Sequence, residues 1–397
     1  MILSKKIRII PTSEQEEKFI KSAGVARWAY NYFIGTNFDL YDNYIKNGKV
    51  GDRYIRGNDL RKIINNDLKK TTHTWLSEVG SNVMKQAVKD AEIAYVDYIN
   101  GVSGKPKFKK KGKSEPSFYV NYESLKKTST GFRGERLGNV RTAEPLPTLQ
   151  EGEKYINPRI KYDGKYWYIS VGYRVEPKEV ELKDISIGID LGVKELATLS
   201  DGTVYKNINK SKRIKRLKRK LKREQRKLSR MLEANTDHYV LSKSDKGRVP
   251  VYRKKLSKCK NIQKQKKKIH LIYRTLRNIR ENNLHQVTTE IVKAKPSRIV
   301  IEDLNVSGMV KNKNLSEAIQ EQKFYRFREM LVYKSELYGI TLDFADRWYP
   351  SSKTCSCCGT IKKDLKLKDR VYRCLSCGIK IDRDLNAAIN LSNYKSA

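Results

Sequence analysis

The residues best suited to chemistry are five cysteines crowded between Cys355 and Cys377. Four of them form two Cys-x-x-Cys pairs with fifteen residues between the pairs: Cys355, Cys358, Cys374 and Cys377. This is the spacing of a four-thiolate zinc ribbon, in which two tight knuckles surround one tetrahedral ion. A glycine follows each pair and gives the knuckle its backbone freedom, which leaves Cys357 as the spare thiol. Because protein ligands would fill all four positions, we expect one structural Zn²⁺ without a catalytic role.

Three carboxylates form a second candidate group, and each lies where a buried segment ends. Asp190 ends an alternating isoleucine strand, Glu302 closes the apolar strand 298–301, and Asp384 opens a short Ala-rich helix. Any one of them alone could equally be a solvated loop residue. Together they resemble the metal-binding acids of a ribonuclease-H-like fold, which meet at one edge of a sheet. Such acids can hold two Mg²⁺ ions about 3.5–4 Å apart, one activating water and one stabilising the leaving oxygen of a phosphodiester.

Other catalytic chemistry finds little support in the sequence. No Walker-type P-loop is present, so ATP-driven work is not indicated. The histidines lie in unrelated contexts without metalloprotease or triad spacing, and we expect packing or surface roles for them: His73, His238, His270 and His285.

The charge of the chain points to a polyanionic partner. Its 397 residues carry 84 Lys or Arg against 44 Asp or Glu, a formal net charge of +40. Such a surface favours nucleic acid, because binding releases condensed counterions, while an acidic membrane surface is the competing partner. No run of about 18 apolar residues or signal-type leader is present, so we expect a cytoplasmic, nucleoid-associated protein with no membrane partner. The length predicts two or three domains.

The first 180 residues contain none of the three candidate acids and none of the cysteines. A strand from Leu3 to Ile10 precedes a helix from about Glu14, capped by Thr12 or Ser13, and helical periodicity continues to about residue 100. A basic connection at 105–113 leads into strands that extend to about 180. Asp163-Gly164 predicts a hairpin with a two-residue type I′ turn.

The C-terminal half contains the elements that carry the acids. A strand from Ile185 to Asp190 and a second at Glu195 to Leu199 precede two very basic helical stretches, 211–230 and 253–280. A further helix at about 315–338 and a strand at 340–344 follow. Apolar residues at heptad steps predict an antiparallel hairpin for the two basic stretches: Ile214, Leu217, Leu221, Leu228 and Met231 in the first, and Ile262, Ile269, Ile272, Leu276 and Ile279 in the second. Because its charges hardly alternate in sign, we favour phosphate contact over a merely solvated face.

The order of these parts resembles the TnpB nucleases encoded by bacterial insertion sequences and, more broadly, the type V CRISPR effectors. The likeness covers nearly the whole chain. It is carried by seven motifs, of which the last two are the most specific: Pro11-Thr12-Ser13-Glu14-Gln15, Arg27-Trp28-Ala29-Tyr30-Asn31, Pro106-Lys107-Phe108-Lys109, Gly188-Ile189-Asp190-Leu191-Gly192, Val300-Ile301-Glu302-Asp303-Leu304, Tyr349-Pro350-Ser351-Ser352-Lys353-Thr354-Cys355 and Asp382-Arg383-Asp384-Leu385-Asn386-Ala387-Ala388.

The resemblance implies a multidomain α+β fold. Its core would be a RuvC, ribonuclease-H-like α/β nuclease domain that contains a helical hairpin and a zinc-ribbon insert, next to a wedge-type β-barrel that carries a helical recognition domain. The implied boundaries are 184–354 and 379–397 for the nuclease domain, 211–291 for the hairpin within it, 355–378 for the target-nucleic-acid-binding insert, 1–13 and 105–183 for the wedge barrel, and 14–104 for the recognition domain.

The resemblance also implies a function. Asp190, Glu302 and Asp384 would be the RuvC acids that hold catalytic Mg²⁺, with Asp384 favoured over the neighbouring Asp382, and the four cysteines would hold zinc. The protein would be a Mg-dependent RNA-guided DNA endonuclease. A transposon-derived guide RNA would direct it to double-stranded DNA beside a short flanking motif, and a monomer is favoured.

Three alternatives remain open at this point. A miniature type V CRISPR effector would use the same acids and zinc with a CRISPR RNA. A DNA-strand-exchanging transposase would share the metal acids but fits the zinc insert and the wedge strands poorly. A non-cleaving RNA-guided repressor would keep the basic surface and need no acids.

Overall fold

The chain divides into two units, Ile2–Val175 and Glu176–Ala397. The computed structural model describes residues 1–242, 247–366 and 369–395. Small parts of three predicted regions therefore lie outside the described residues: 243–246 of the basic hairpin, 367–368 of the cysteine-rich insert and 396–397 of the nuclease domain.

The first unit combines three α-helices with a seven-stranded sheet. Its elements, in chain order, are β1 (Ile2–Ile10), α1 (Ser13–Lys46), α2 (Gly57–Ile63), α3 (Ser81–Ile99), β2 (Ser117–Tyr119), β3 (Lys126–Thr128), β4 (Gly131–Gly134), β5 (Gly138–Thr142), β6 (Ile156–Tyr162) and β7 (Trp167–Arg174). A π-helical turn, Ile64–Leu68, and a 3₁₀ turn, Thr74–Glu78, lie between α2 and α3.

The sheet of the first unit is antiparallel and open. Its strand order is β2-β6-β7-β1-β5-β4-β3, with β1 paired to β7 along most of its length and to β5 at its end. The two edge strands are only three residues long, and in the described chain each pairs with one neighbour. The expectation of a closed wedge barrel is therefore wrong, because strands this short do not supply the ladder that would join the edges.

Helix α1 begins as the sequence predicts. Thr12 is the N-cap: its hydroxyl accepts from the Gln15 amide at 3.2 Å, and the Gln15 side chain accepts from the Thr12 amide at 3.1 Å. This reciprocal capping box satisfies two of the donors that a helix start leaves free. Helices and strands share one apolar core, in which Phe19 packs edge-on against Trp167 at 5.3 Å.

The hairpin formed by β6 and β7 is present, but its turn differs from the expected two-residue type. Residues 163–166 form the loop, and only Gly164 has a positive φ, +92°. The buried Asp163 side chain instead accepts from the amides of Lys165 and Tyr166 at 3.0 and 2.9 Å. The aspartate thus acts through its side-chain oxygen, as in an Asx turn, and not through left-handed backbone.

The second unit is a mixed α/β arrangement with two small two-stranded sheets. Its elements are β8 (Lys183–Leu191), β9 (Glu195–Leu199), β10 (Val204–Lys206), α4 (Lys212–Glu233), β11 (Thr236–Leu241), β12 (Arg248–Tyr252), α5 (Lys260–Lys293), β13 (Pro296–Glu302), α6 (Val306–Val310), α7 (Ser316–Gln322), α8 (Phe324–Tyr338), β14 (Thr341–Ala345), β15 (Val371–Arg373), β16 (Lys380–Asp382) and α9 (Arg383–Ser392).

The main sheet of this unit has five strands in the order β10-β9-β8-β13-β14. Strands β8, β13 and β14 are mutually parallel, whereas β9 and β10 are antiparallel to their neighbours. Apolar side chains of the sheet pack with those of α5 and α8 in one core, and Val300 packs with Leu391 of α9 in a separate one. The sheet is therefore covered on both faces, as a largely parallel sheet requires.

The basic hairpin forms, with a longer second helix than the sequence predicted. Helices α4 and α5 pack through an apolar seam that contains Ile214, Ile272 and Leu276, while the lysines and arginines of α4 lie largely exposed. The tip is a two-stranded ribbon, β11 with β12, which the sequence reading missed. Of the two acids of α4, Glu224 is buried; it accepts from Gln265 at 2.9 Å and pairs with Lys268 at 3.0 Å.

The predicted helix at 315–338 is two helices. Lys323 separates α7 from α8 with left-handed backbone, φ +57° and ψ +45°. Its ammonium group pairs with Glu281 of α5 at 2.6 Å. No helix among the described residues has the length and apolarity needed to cross a bilayer.

Candidate active site and metal centre

Two of the candidate acids lie side by side because β8 and β13 are parallel. Ile189 of β8 is paired with Ile301 of β13, and the acid is the next residue on each strand. Side chains alternate between the two faces along each strand, and residues at the same register of neighbouring strands point to the same face, so Asp190 and Glu302 share a face at the carboxyl end of the sheet.

Helix α9 brings the third acid to this face. Gly188, two residues before Asp190, lies against the helix so closely that an added Cβ would come within 2.0 Å of the Ala388 carbonyl oxygen. Asp384 lies one turn before Ala388 and therefore on the same side of the helix. The glycine permits this close approach, and the structure thus assembles Asp190, Glu302 and Asp384 at one edge of the sheet.

The electrostatics of the acids agree with this proximity. Burial raises the pKa of Asp190 well above its usual value, the charges of Glu302 and Asp384 raise it further, and Arg383 opposes the shift. Burial also raises the pKa of Glu302, while a hydrogen bond from the Ser351 hydroxyl, 2.6 Å from Oε1, acts in the opposite direction. Clustered carboxylates of this kind are held ionised most readily by bound cations.

Asp382 has a different position from Asp384. It is the N-cap of α9, and its Oδ1 accepts from the amides of Asp384 at 2.9 Å and Leu385 at 3.1 Å. The carboxylate of Asp384 instead pairs with Arg383 at 3.3 Å, with both side chains largely buried. The capping bonds give Asp382 a structural role. The charges of both aspartates raise the pKa of Asp190, and Asp384 contributes more than Asp382.

The carboxylates suit a divalent cation by the chemistry of their oxygens. Carboxylate oxygens are the hard ligands that Mg²⁺ prefers, and this ion keeps several waters and binds partly through substrate phosphate. The three acids do not belong to a cluster as tight as the four cysteines, whose potential ligand atoms all lie within 4.8 Å of one another. A looser set of carboxylates leaves room for waters and phosphate oxygens.

The four predicted zinc ligands come together. The Cys355 and Cys377 sulfurs are 3.6 Å apart and those of Cys358 and Cys374 are 3.5 Å apart, while Cys357 lies outside the cluster. Zn–S bonds of about 2.3 Å in a tetrahedron place sulfurs about 3.8 Å apart, so the donor set fits one zinc ion. The glycines after both pairs, at 359 and 378, have φ +76°, as the knuckles require.

The cysteine module has a very small core and is fastened to α9. Tyr372 is fully buried, and its hydroxyl lies 3.1 and 3.2 Å from the carbonyl oxygens of Lys353 and Thr360, which share its one proton. From α9, the amide groups of Asn386 and Asn390 both donate to the Thr354 carbonyl, at 2.7 and 2.6 Å.

Sequence reasoning missed the residues that make this connection. Asn390 also donates to the Ser351 carbonyl at 2.7 Å, and Asn386 accepts from the Ser356 amide at 2.9 Å. The signal was present, since two asparagines four residues apart lie on one helical face. Ser351 was a motif residue without an assigned role; its hydroxyl binds Glu302 and its backbone binds α9.

Comparison with known families agrees with this architecture. Three family models match: one described as "Helix-turn-helix domain" over residues 1–46, one described as "Probable transposase" (OrfB of IS605) over 169–313, and one described as "Cas12f1-like, TNB domain" over 324–391. Residues 1–46 form one strand and one long helix here, so the name of the first model does not describe their conformation.

Curated relatives match over nearly the whole chain. A protein of Streptomyces pristinaespiralis named "Putative RNA-guided DNA endonuclease" is 29% identical over 393 residues, covering 97% of this chain and 87% of the relative. "Putative RNA-guided DNA endonuclease InsQ" of Escherichia coli K12 is 28% identical over 406 residues, covering 97% and 90%. The "TnpB-like protein L770" of Acanthamoeba polyphaga mimivirus is 25% identical over 404 residues, covering 98% and 72%.

A solved structure shows a similar fold. The chain superposes with a TM-score of 0.52 and 14% identity on the protein in the "Cryo-EM structure of the Cas12f1-sgRNA-target DNA complex", covering 99% of both chains. The OrfB and TNB family models match parts of the chain, and relatives that align over nearly its full length include a TnpB-like protein, so the chain is similar to the TnpB family.

Proposed function

We propose that this chain is an RNA-guided DNA endonuclease that hydrolyses phosphodiester bonds at the edge of the five-stranded sheet. The observation that carries the proposal is the convergence of Asp190, Glu302 and Asp384 on that edge, in a chain whose relatives over nearly its full length are named RNA-guided DNA endonucleases. The mixed sheet, with its acids at the carboxyl end of two parallel strands, supports the RuvC, ribonuclease-H-like assignment.

The three acids would hold Mg²⁺, and a pair of such ions would activate a water and stabilise the leaving oxygen. Asp190 and Glu302 provide ligands from adjacent strands, and Asp384 provides one from the helix start. Ser351 fixes the orientation of Glu302 through its 2.6 Å hydrogen bond. Arg383 compensates the charge of Asp384 until a cation is bound.

The four cysteine thiolates would hold one Zn²⁺ and leave no open position, so the ion would fold the insert and take no part in hydrolysis. The insert has a core of few residues, Tyr372 with Cys355 and Cys374 among them, which supports this dependence on metal. Through Asn386 and Asn390 a folded insert would also fix the helix that carries Asp384.

The partners would be a transposon-derived guide RNA and double-stranded DNA. The exposed cations of α4 and α5 support phosphate contacts, and the net charge of +40 supports a polyanionic partner. Sequence reading would be delegated to base pairing, as in RNA-guided effectors generally.

One relative supports a CRISPR effector as the second candidate. It is the "CRISPR-associated endodeoxyribonuclease Cas12f1" of Sulfoacidibacillus thermotolerans, 25% identical over 234 residues. That match covers 57% of this chain and 50% of the relative, against 97% of this chain for each of the two relatives named first. The difference in coverage favours the transposon form. A non-cleaving repressor is disfavoured because it would retain three clustered, half-buried acids at an energetic cost without using them.

The test starts from the RNA that copurifies with the expressed protein. Once it is sequenced, a DNA library with randomised flanks, matched to the guide end of that RNA, is offered in Mg²⁺ and in EDTA. We expect Mg²⁺-dependent cutting of matched DNA next to one flanking motif and no cutting of mismatched DNA. Absence of a defined RNA, or equal cutting of matched and mismatched DNA, would refute RNA guidance.

A further inference from the structure

An exposed tryptophan lies in the loop that follows β14, close to the acid edge. The Trp348 side chain is 85% exposed, which makes it the most exposed large aromatic residue in the described part of the chain. Burial of an indole is favourable because it removes a large apolar area from water, so an exposed indole is a candidate contact for a partner.

The loop is held in place on both sides of Trp348. Arg347 pairs with Asp303 at 3.3 Å, and Ser351 donates to Glu302 at 2.6 Å, so the residues that flank the indole contact two consecutive residues at the end of β13. Asp346 accepts from the Trp348 amide at 2.8 Å. The backbone of the tryptophan is therefore anchored beside Glu302 while its ring remains in solvent.

The same loop contributes to an arginine–aspartate cluster. Asp303 is shared by Arg347 and by Arg328 of α8, whose Nη1 lies 2.5 Å from Oδ1. One carboxylate holds two guanidinium groups, and all three side chains are more than a third exposed. These three side chains have a net charge of +1, although Asp346 lies in the same loop and the Arg328 guanidinium lies 3.9 Å over the Phe344 ring. Arginine is the side chain best suited to bind a phosphate oxygen.

We infer that Trp348 and the Arg328–Asp303–Arg347 cluster form a nucleotide-binding subsite for the single DNA strand that is cut. The indole stacks on one base, and the surplus guanidinium charge binds a phosphate of the same strand. An aromatic ring beside cations is the combination that binds single-stranded nucleic acid without sequence preference. This inference rests on the proposed nuclease function and names how its substrate is held.

Base stacking is tested in a complex that binds but does not cut. Asp190→Asn protein with its copurified RNA is mixed with matched DNA that carries 2-aminopurine at successive positions of the strand to be cut. We expect quenched emission at one position near the cleavage site. Trp348→Phe, which keeps a ring, should preserve the quenching, whereas Trp348→Leu, which keeps only apolar bulk, should abolish it. The same quenching profile in Trp348→Leu would overturn the stacking role.

Cutting rates give a second measurement. In the protein with intact acids, Trp348→Leu should slow cutting by about 5- to 150-fold, the range expected for loss of one base–aromatic stack. An abasic site at the quenched position should slow the wild-type protein similarly and should have no further effect on Trp348→Leu. Additive effects of the two changes would show that the indole and that base do not meet.

The phosphate contact is tested through salt dependence. Arg347→Gln should lower the slope of log affinity against log salt by about 0.7 for single-stranded DNA, whereas Arg347→Lys should keep it. An unchanged slope in Arg347→Gln would show that Arg347 does not contact phosphate and only pairs with Asp303. If only the subsite is wrong, the wild-type protein still cuts in a Mg²⁺-dependent way. If the nuclease proposal is wrong, cutting does not require Asp190.

Discussion

At the scale of single residues, the three clustered acids make the metal-free site unfavourable. Asp190 is half-buried beside Glu302 and Asp384, and its pKa is raised well above the ordinary value of 3.8. The folded chain therefore holds a proton at a pH where the unfolded chain has released it. The stability of the folded state must fall as pH rises from about 3.8 through the raised pKa, and the full cost persists at higher pH.

This predicts a pH-dependent effect of one substitution. In EDTA, Asp190→Asn should raise the free energy of unfolding at neutral pH and flatten its decline with pH, because the amide never ionises. Urea unfolding over a pH series measures this, with the exposed Asp184→Asn of the same strand as control. Identical pH profiles for wild type and Asp190→Asn would contradict the shift.

Ser351 provides the second residue-scale prediction. Its hydroxyl orients a carboxylate that would bind metal, and loss of such an orienting partner typically costs about 10- to 100-fold in metal affinity or activity. Ser351→Ala should therefore raise the Mg²⁺ concentration needed for half-maximal cutting by that factor. Ser352→Ala is the matched control, and a Mg²⁺ titration of cutting rate is the measurement. Equal requirements in both variants would exclude the orienting role.

At the scale of elements, the cysteine insert and α9 behave as one assembly. Asn386 and Asn390 join the helix to residues 351–356, and Asp384 lies on the same helix. Metal-dependent folding of the insert should therefore affect the position of Asp384, although the zinc ligands take no part in the chemistry.

Adjacent cysteines allow a matched test of this element. Cys358→Ser should lower the zinc content from about one ion per chain to well below it, because three thiolates bind zinc more weakly than four. Cys357→Ser should retain full zinc, since Cys357 lies outside the sulfur cluster. Metal analysis of the purified variants decides, and equal zinc loss from both would mean that the ligand set is wrong.

Elements whose residues repeat with a clear period could be predicted from the sequence. Alternating isoleucines at 185, 187 and 189 predicted the central strand β8, and the Cys-x-x-Cys spacing predicted a metal cluster. The break at Lys323 could not be predicted, because no glycine or proline marks it. Ribbon β11–β12 carried a weak signal in its Tyr and Val residues, which the surrounding basic helices obscured.

The candidate site was predictable to a similar extent. The positions of the three acids followed from where strands end and a helix begins, since these boundaries are visible in the pattern. The roles of Ser351, Asn386 and Asn390 did not follow, because hydrogen bonds between segments distant in sequence depend on tertiary packing. The strand order of the open sheet in the first unit could not be predicted either. Alternation of apolar and polar residues predicts that a segment is a strand, but it does not determine which other strand pairs with it.

At the scale of the whole molecule, charge is concentrated on exposed helices. Lys215 and Arg219 lie on the exposed face of α4, one turn apart. If this face binds guide-RNA phosphates, replacing both residues with Gln should lower the slope of log affinity against log salt by about one unit for each phosphate that is no longer neutralised. Lys215→Arg with Arg219→Lys keeps the charge and should keep the slope. If a salt titration of RNA binding gives the same slope for the double Gln variant as for the wild type, this face is solvated and does not contact phosphate.

The central claim is that Asp190, Glu302 and Asp384 jointly hold the cations that cut DNA. The most direct measurement compares Mg²⁺-dependent cutting of guide-matched DNA by the wild-type protein and by Asp190→Ala, Glu302→Ala and Asp384→Ala, each with its copurified RNA. We expect each variant still to bind the DNA and to lose at least about 100-fold in cutting rate, because every acid would supply a metal ligand. Cutting at the wild-type rate by any one of the three would contradict it.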